Sequence, residues 1–572
     1  MAKTILPIIN VMTEKTEVHP RDLVMIEDYQ DSNAKKKVEV GNLMGVEYND
    51  IGVAGQAGFG VGLCPPELLP TYIIPLEGYT SKTNDNYGNY KCTIDNSIMV
   101  WIPAFWFNIV HDGGSNVNKV NIKSYKTYAT EAEAIAQGYQ IHRMFIDGGV
   151  IKEGVFVDKY EWSLTNFVNG VSGVASSIKN GNPISSQNVS KRIINGTNDT
   201  FAGSFSNCIS NGQTPADNYG GAWSVAKSRG NDFSLWSIFV AKGLALLSLA
   251  HGQAVSSTAN CAWYHATNNF PKGNNNYGAD INDATCTFTA CDDGYWASRN
   301  EARKTGSGNI FAKTTHNGQN CGVADLNGNQ WKIMQGITTL NFATKTITAI
   351  TRAAEAVLSI SSHGYSNGQI IQVQGSAAAE WNTKFQYKFC EVEVVDAGSI
   401  KLKVDGAYVD TSALSADYVS GLTTTFANHY LLKESVSLKN VTGGNSLTAS
   451  DHFNSTFVNN NFDQITLAFA EGGYAFRFGN STNQVLGFNT DRTHADYKKG
   501  AAGLALAKTS VSGGGSNQFG ADYYYQWFLA ELCALSGGSW YYTTYAGVWY
   551  LSLANNRTTS ARDVSARACL YV

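Results

Sequence analysis

The 572-residue sequence predicts an α+β fold with many short strands and few helices, on three observations. Glycine outnumbers proline 56 to 10, charged residues make up only 15% and aromatics reach 12%, a composition of ordered, turn-rich β structure rather than of a disordered chain. Two windows carry helical signals, while most of the remainder alternates with period two or passes through polar turns. The chain also exceeds the usual span of about 100–200 residues per domain, so two to four units are expected.

Residues 1–45 read as a small separate unit. Its apolar run from Ile5 to Met12 lacks a small-residue cleavage site and does not read as a secretory signal, so the protein is expected to be soluble and made in the cytoplasm. A short strand at Leu23 to Ile26, a turn carrying Lys35 to Lys37, and alternating Val38, Val40 and Leu43 make a hairpin-like module. So small a unit buries little by itself and is expected to pack on copies of itself or on a neighbour.

Residues 46–342 read as the first part of a larger mixed domain. Thr130 and Glu133 have capping-box spacing, and Gly138 stops the short helix between them. Gly154 to Ser163 alternates like a strand. Phe233 to Ala250 is apolar but broken by Lys242 and Gly243, which makes it a buried helix, capped by Asn231 or Asp232, and not a membrane span. The polar stretch from Cys261 to Phe288 is long enough to be functional or packed on the surface. Residues 343–424 change character: short alternating strands separated by Asn-Gly, Ala-Gly and Asp-Gly turns mark a small all-β module inserted into the larger domain, which 425–572 completes.

Few chemistries are legible. A net charge of -4 without a dense basic stripe argues against nucleic acid as a partner. The ten cysteines contain no Cys-x-x-Cys pair and read mostly as buried thiols; Cys286 and Cys291 are close enough to pair or bind metal, but no matching His/Cys pair follows. Lys313 follows Ala312 and not glycine, so there is no phosphate loop. Asp325 to Asn329 begins like a calcium loop, yet Gln330 stands at the glycine position and Gly336 at the glutamate position, which leaves an Asx-stabilised turn. The ten histidines lack metal-site spacing. No catalytic residue, metal or cofactor is therefore predicted. Paired carboxylates for glycan hydrolysis meet in space and not in sequence, so that chemistry stays open.

"CGVADLNGNQWKIMQGI", from Cys321 to Ile337, resembles the Asp-(Leu/Met)-x-Gly-Asn-x-Trp-Glu signature of C-type-lectin-like domains shared by formylglycine-generating proteins and certain phage adhesins. "GVFVDKYEWS" is similar to the strand that opens that fold, "GGSW" to its late Arg-Gly-Gly-Ser-Trp strand, and Lys332 replaces the family's usual glutamate. "FGVGLCPPELLP", "MVWIPAFWFNIV", "LALLSLAHGQA" and "KTTHNGQNCGVADLNGN" look like phage and prophage tail-fibre proteins, and "ADYYYQWF" followed by "GGSW" and "AGVWYLSLANNRTTSARDVSARACL" resembles the variable proteins of diversity-generating retroelements. The resemblance covers about 46–342 and 425–572. The inserted module resembles small β-modules of phage structural proteins, and 1–45 looks like a fibre-attachment segment.

The resemblance implies a tail-fibre adhesin of the virion, made in the bacterial cytoplasm and acting outside it. It implies a homotrimer that joins other tail proteins through its N-terminus and binds a host cell-surface protein or glycan without inserting into the membrane. In such proteins, adenine-directed mutagenesis of AAC or AAT codons yields Tyr, Thr, Ser, Ala, Asp, Arg or Asn, but never Lys, Glu, Gln, Met or Trp; after Trp540 no Lys, Glu, Gln or Met occurs. The implied frame is Gly537, Gly538, Trp540, Trp549 and Trp331, with Val548, Leu551 and Leu553 also inward. The implied variable surface is Tyr541, Tyr542, Thr543, Tyr545, Tyr550, Ser552, Ala554, Asn555, Asn556, Thr559, Ala561, Arg562 and Asp563. Alternation fails at Val548-Trp549, where a bend or bulge is expected. Two rivals stand beside the adhesin. One is a glycan-cleaving tailspike. The other is a formylglycine-generating-type oxidase, disfavoured because Cys533 precedes the "GGSW" and Cys569 lies outside the usual register.

Overall fold

The computed structural model describes residues 47–111, 118–168, 172–186, 192–193, 201–202, 218–255, 286–289, 302–308, 314–439, 441, 445–468, 475–477, 489–504, 522–542 and 545–572, and two strands nearer the N-terminus, Leu23–Asp28 and Ala34–Glu39. Those two strands pair antiparallel, with Met25 opposite Lys37, so the lysines expected in the turn lie in the second strand. The remaining described residues form helices and mainly antiparallel sheets, a mixed α+β architecture.

One six-stranded antiparallel sheet runs in the order Phe233–Leu235, Ala568–Leu570, Gly154–Asp158, Ile98–Pro103, Asn89–Cys92, Ile73–Pro75. Both faces of its central strands are covered, so successive residues of Gly154–Asp158 and Ile98–Pro103 are buried instead of alternating. Val100, Ile102, Val155 and Val157 enter the main core, whereas Met99, Trp101 and Phe156 pack with Tyr90 on the other face. Pairing of Phe156 with Leu570 brings a strand from the first third of the chain against its last one. Arg229, buried beneath this junction, holds Asp158 at 2.8 Å and Asp95 at 2.7 Å, and Asp158 also accepts the Ala568 N–H at 2.9 Å.

The strand expected over Gly154 to Ser163 stops at Asp158. The capping box does form: Thr130 accepts the Glu133 N–H, the Glu133 carboxylate accepts the Ala129 N–H, and the helix Glu131–Ala136 ends before Gly138 at φ +76°. The long apolar window divides differently from expectation. Phe233–Leu235 is a strand, the helix is Ile238–Ala254, and its cap is Ser237, whose hydroxyl accepts the Val240 N–H at 3.2 Å. Neither Asn231 nor Asp232 caps it. Between strand and helix the Trp236 indole donates to the Ile333 carbonyl at 2.9 Å, which fixes the change of direction. No helix among the described residues is long and apolar enough to cross a membrane.

Strands Ile337–Thr346 and Leu422–Leu432 pair antiparallel and lead out to residues with an apolar cluster of their own, running from Ile347 through Trp381 and Phe389's neighbour Cys390 to Leu422. Beside it a second, smaller cluster matters below: Phe389 and Phe426 pack on Phe528, and Tyr387 stacks on Trp527 at 5.2 Å. Most of the polar stretch from Cys261 to Phe288 and the residue Cys291 lie outside the described residues. Cys286 is half-buried, its thiol 3.9 Å from the Ser307 carbonyl.

Candidate functional site

A second six-stranded sheet carries the C-terminal segment, in the order Ala475–Arg477, Tyr523–Gln526, Leu551–Leu553, Leu535–Ser536, Trp331–Ile333, Val564–Ser565. Leu535 pairs with Ser552 and Ser536 with Leu551, so the chain must reverse between them. Gly537 and Gly538 begin the reversal at φ +87° and +73°, a conformation that favours glycine. The Gly537 N–H donates to the Tyr550 carbonyl at 3.1 Å, its own carbonyl accepts the Gly328 N–H at 2.8 Å, and the Trp540 N–H reaches the Asn329 carbonyl at 2.9 Å. The irregularity expected at Val548-Trp549 is a turn: Tyr550 N–H donates to the Gly547 carbonyl, and the strand starts only at Leu551.

The returning arm is held by groups from elsewhere. Lys242, buried in the helix Ile238–Ala254, donates to the carbonyls of Trp549 at 2.9 Å and Tyr550 at 3.4 Å. Burial drags its ammonium down to about 7 against the pull of Asp522. The Asp522 carboxylate in turn accepts the Trp549 N–H at 2.9 Å. Lys332, where the resemblance leads one to expect glutamate, is buried with its ammonium 3.7 Å from Glu161 and 2.9 Å from the Gly328 carbonyl. The lysine at that position thus faces the buried Glu161 carboxyl, in the connection between the strands Gly154–Asp158 and Ser163–Val168, whose own pKa burial raises to about 8.

Beside this frame lies an open concavity of about 340 Å³. It gathers eight of the thirteen residues expected to vary: Tyr541, Tyr542, Ser552, Ala554, Asn555, Thr559, Ala561 and Asp563. Trp331, expected as frame, forms part of its wall and packs edge-on against Tyr542 at 5.0 Å and Tyr550 at 4.4 Å. Tyr541, the most open of the group at 41% exposure, lies over Tyr542 at 4.3 Å and donates its hydroxyl to that of Tyr542 at 2.9 Å. Ser552 donates to the Asn555 amide oxygen at 2.8 Å. Asp563 accepts the Ser539 hydroxyl at 2.8 Å, and burial raises its carboxyl above the ordinary range.

The other expected residues fall elsewhere. Tyr550 is buried and not outward, because the turn at Gly547 rotates it beneath Trp331 into the core. Ser552 is likewise 4% exposed, reaching the concavity only at its floor. Tyr545 is half-buried and stacks on Tyr523 at 3.9 Å. Asn556 spends its amide oxygen on its own turn, accepting the Thr558 N–H at 3.2 Å and hydroxyl at 2.8 Å. Arg562 is half-buried next to the wall, its carbonyl accepting the Gln330 amide at 2.6 Å. Thr543 lies outside the described residues. Gly537, Gly538, Trp540 and Trp549 are buried.

Sequence reasoning missed Tyr525, Trp527, Leu535 and Val564, which complete the lining. The run Tyr523-Tyr524-Tyr525-Gln526-Trp527 carried a signal, since alternation within it sends Tyr524 inward and Tyr525 to the other face. No protein-family model matches the chain, and no curated protein matches it. Among the described residues no group of three or more His, Cys, Asp or Glu side chains is placed to hold a metal ion.

Proposed function

We propose that this chain is a phage or prophage tail-fibre adhesin whose C-type-lectin-like domain binds a host-surface receptor through a diversified C-terminal segment, without catalysis. The observation that carries the reading is the division of that segment: eight residues of the expected variable set share one concavity, while Gly537, Gly538, Trp540 and Trp549 are buried under it. The lining's palette of tyrosine with serine, threonine and asparagine is that of antibody paratopes, with large rigid contact area beside adaptable hydrogen bonding. The lectin-like assignment is supported by the pairing of the opening strand Gly154–Asp158 with the closing strand Ala568–Leu570. Residues 1–45 serve as virion attachment, and a homotrimer multiplies weak single-site contacts into firm adhesion.

Among the described residues the lining carries a single carboxylate, Asp563, whereas glycan hydrolysis uses two, which weighs against a cleaving tailspike. Two measurements test the reading. Sequencing around the gene is expected to find a near-copy of its last hundred or so bases with AAC at the variable codons beside a reverse-transcriptase gene, and absence of both removes the diversification claim. The purified full chain is expected to adhere to some members of a panel of bacterial cells without releasing reducing ends; release of reducing ends would replace adhesion with cleavage.

A further inference from the structure

The concavity has a one-sided chemistry. Five aromatic side chains line it, Trp331, Tyr525, Trp527, Tyr541 and Tyr542, and among its described lining residues Asp563 is the one acidic group and none is lysine, arginine or histidine. An anion placed there would face ring π-systems and a carboxylate with no donor of positive charge. A neutral ligand would add no charge to the Ser539 hydroxyl and the Arg562 guanidinium that already act on the half-buried carboxylate. A cation meets both the negative ring faces and the carboxylate, and gains most where water is partly excluded. Burial lifts the Asp563 carboxyl, the Ser539 hydroxyl and, less strongly, the Arg562 charge pull it back, and a cation in the concavity would add to that pull.

We propose that the concavity takes an organic cation, the ammonium or guanidinium end of a lysine or arginine side chain on a host-surface protein. The inference rests on the adhesin reading and deepens it by naming the ligand chemistry. A polypeptide side chain fits better than a zwitterionic lipid headgroup, because the phosphate accompanying a headgroup cation finds no basic residue in the lining. It also fits the size: about 340 Å³ is at the small end of ligand sites, which run from about 300 to 1,000 Å³, room for one side-chain end and not for several sugar rings. The apolar stem of a lysine would cover Tyr541 and Tyr542 while its head reaches Asp563.

The test titrates the full-length protein with N-acetyl-lysine amide, following tryptophan fluorescence, in parallel with N-acetyl-norleucine amide, N-acetyl-glutamate, glucose and phosphocholine. The lysine derivative is expected to bind at least tenfold more tightly than the norleucine one, to weaken with added salt, and to lose at least tenfold in affinity in Asp563→Asn. Tyr541→Ala, at an exposed position, is expected to lose affinity as well, and keeps the test open if the aspartate variant folds poorly. Equal binding of norleucine or glucose, tighter binding of phosphocholine, or an undiminished Asp563→Asn would overturn the proposal. Adhesion to bacterial cells separates the two readings. Adhesion that persists with excess lysine derivative and in Asp563→Asn removes the cation site and leaves the adhesin, whereas lysine binding without adhesion to any cell upholds the cation site and removes the adhesin.

Discussion

Ala546–Leu553 and Ala554–Asp563 are adjacent in sequence but built by different rules. In the first stretch every residue is buried, and its backbone is gripped by Lys242, Asp522 and Gly537. In the second every residue is half-buried or exposed, yet its backbone is also held from outside: Asn218 donates to the Thr559 carbonyl at 2.8 Å, and Ser186 accepts the Ala561 N–H at 2.9 Å and donates to the Ala561 carbonyl at 3.1 Å. Hydrogen bonds to backbone groups do not depend on side-chain identity. A segment whose path is fixed in this way can change side chains without changing course, provided those side chains are not part of the core.

The first stretch should therefore tolerate least. Trp549→Ala removes a buried indole and is expected to cost about 3–5 kcal/mol by urea denaturation. Gly547→Ala is expected to cost about 3 kcal/mol, because a methyl group there overlaps the Asp522 carboxylate that accepts the Trp549 N–H. A loss under 1 kcal/mol in either variant would break the contrast with the second stretch.

Lys242→Met comes next. It keeps the length and apolar stem but takes the lysine donor from the Trp549 carbonyl and leaves the Tyr550 carbonyl to the Gly537 N–H, at an expected cost of about 2 kcal/mol at pH 7 by the same measurement. Because the two carbonyls hold the arm that returns beneath the concavity, faster hydrogen exchange should be confined to the Gly547–Leu553 backbone. Faster exchange spread over the whole helix Ile238–Ala254 would assign the lysine to general packing instead.

How far the sequence discloses these features depends on the range of the forces involved. Local signals read true: the Thr130 cap forms, and Asp405-Gly406 makes a turn with both residues at positive φ, +53° and +80°, as a tight hairpin requires. Phe233–Leu235 was legible only as apolar, because what makes it a strand is Ala568–Leu570, more than three hundred residues away. The site divides in the same way. Composition and the "GGSW" resemblance pointed to the terminal segment, but Tyr550 turned inward because the Gly547 turn breaks the alternation used to place it. Trp527 is set on the wall by Tyr387, a distant residue held at φ +62°, and no local pattern shows that contact.

A smaller effect joins the two stretches through pH. His452 is buried against Tyr219 and Phe453, its Nε2 accepts the Gly336 N–H at 3.2 Å, and burial, helped by the Arg557 charge, pulls its pKa down to about 3. Arg557 belongs to the half-exposed stretch and lies over the Phe453 ring at 4.4 Å. In the unfolded chain the imidazole titrates near the ordinary value of about 6.5. Between those values the unfolded state binds a proton that the folded state refuses, so this contribution is intact above about 6.5 and is lost as the pH falls toward 3. Going from pH 7 to 5.5 is expected to cost the native protein about 1 kcal/mol more than His452→Gln, which keeps an acceptor and does not titrate. Identical acid sensitivity in the two proteins would mean that the imidazole is not held neutral.

The smallest effects should fall on the rim, and they decide whether the second stretch is replaceable. Ala554→Ser, Asn555→Ser and Ala561→Ser alter side chains that line the concavity from partly open positions, so each is expected to change stability by less than about 0.5 kcal/mol. Asn556→Ala is the internal control. Its amide oxygen accepts the Thr558 N–H and hydroxyl and so shapes the turn, and removing it is expected to cost about 1 kcal/mol although the residue is no more buried than its neighbours. Ranking the four variants by urea midpoint separates two ideas that burial alone confounds. If Asn556 ranks with the others, exposure sets tolerance along the stretch; if it stands apart, tolerance follows whether a side chain has been recruited to hold the backbone, and the replaceable positions are those whose path is held by Asn218 and Ser186 instead.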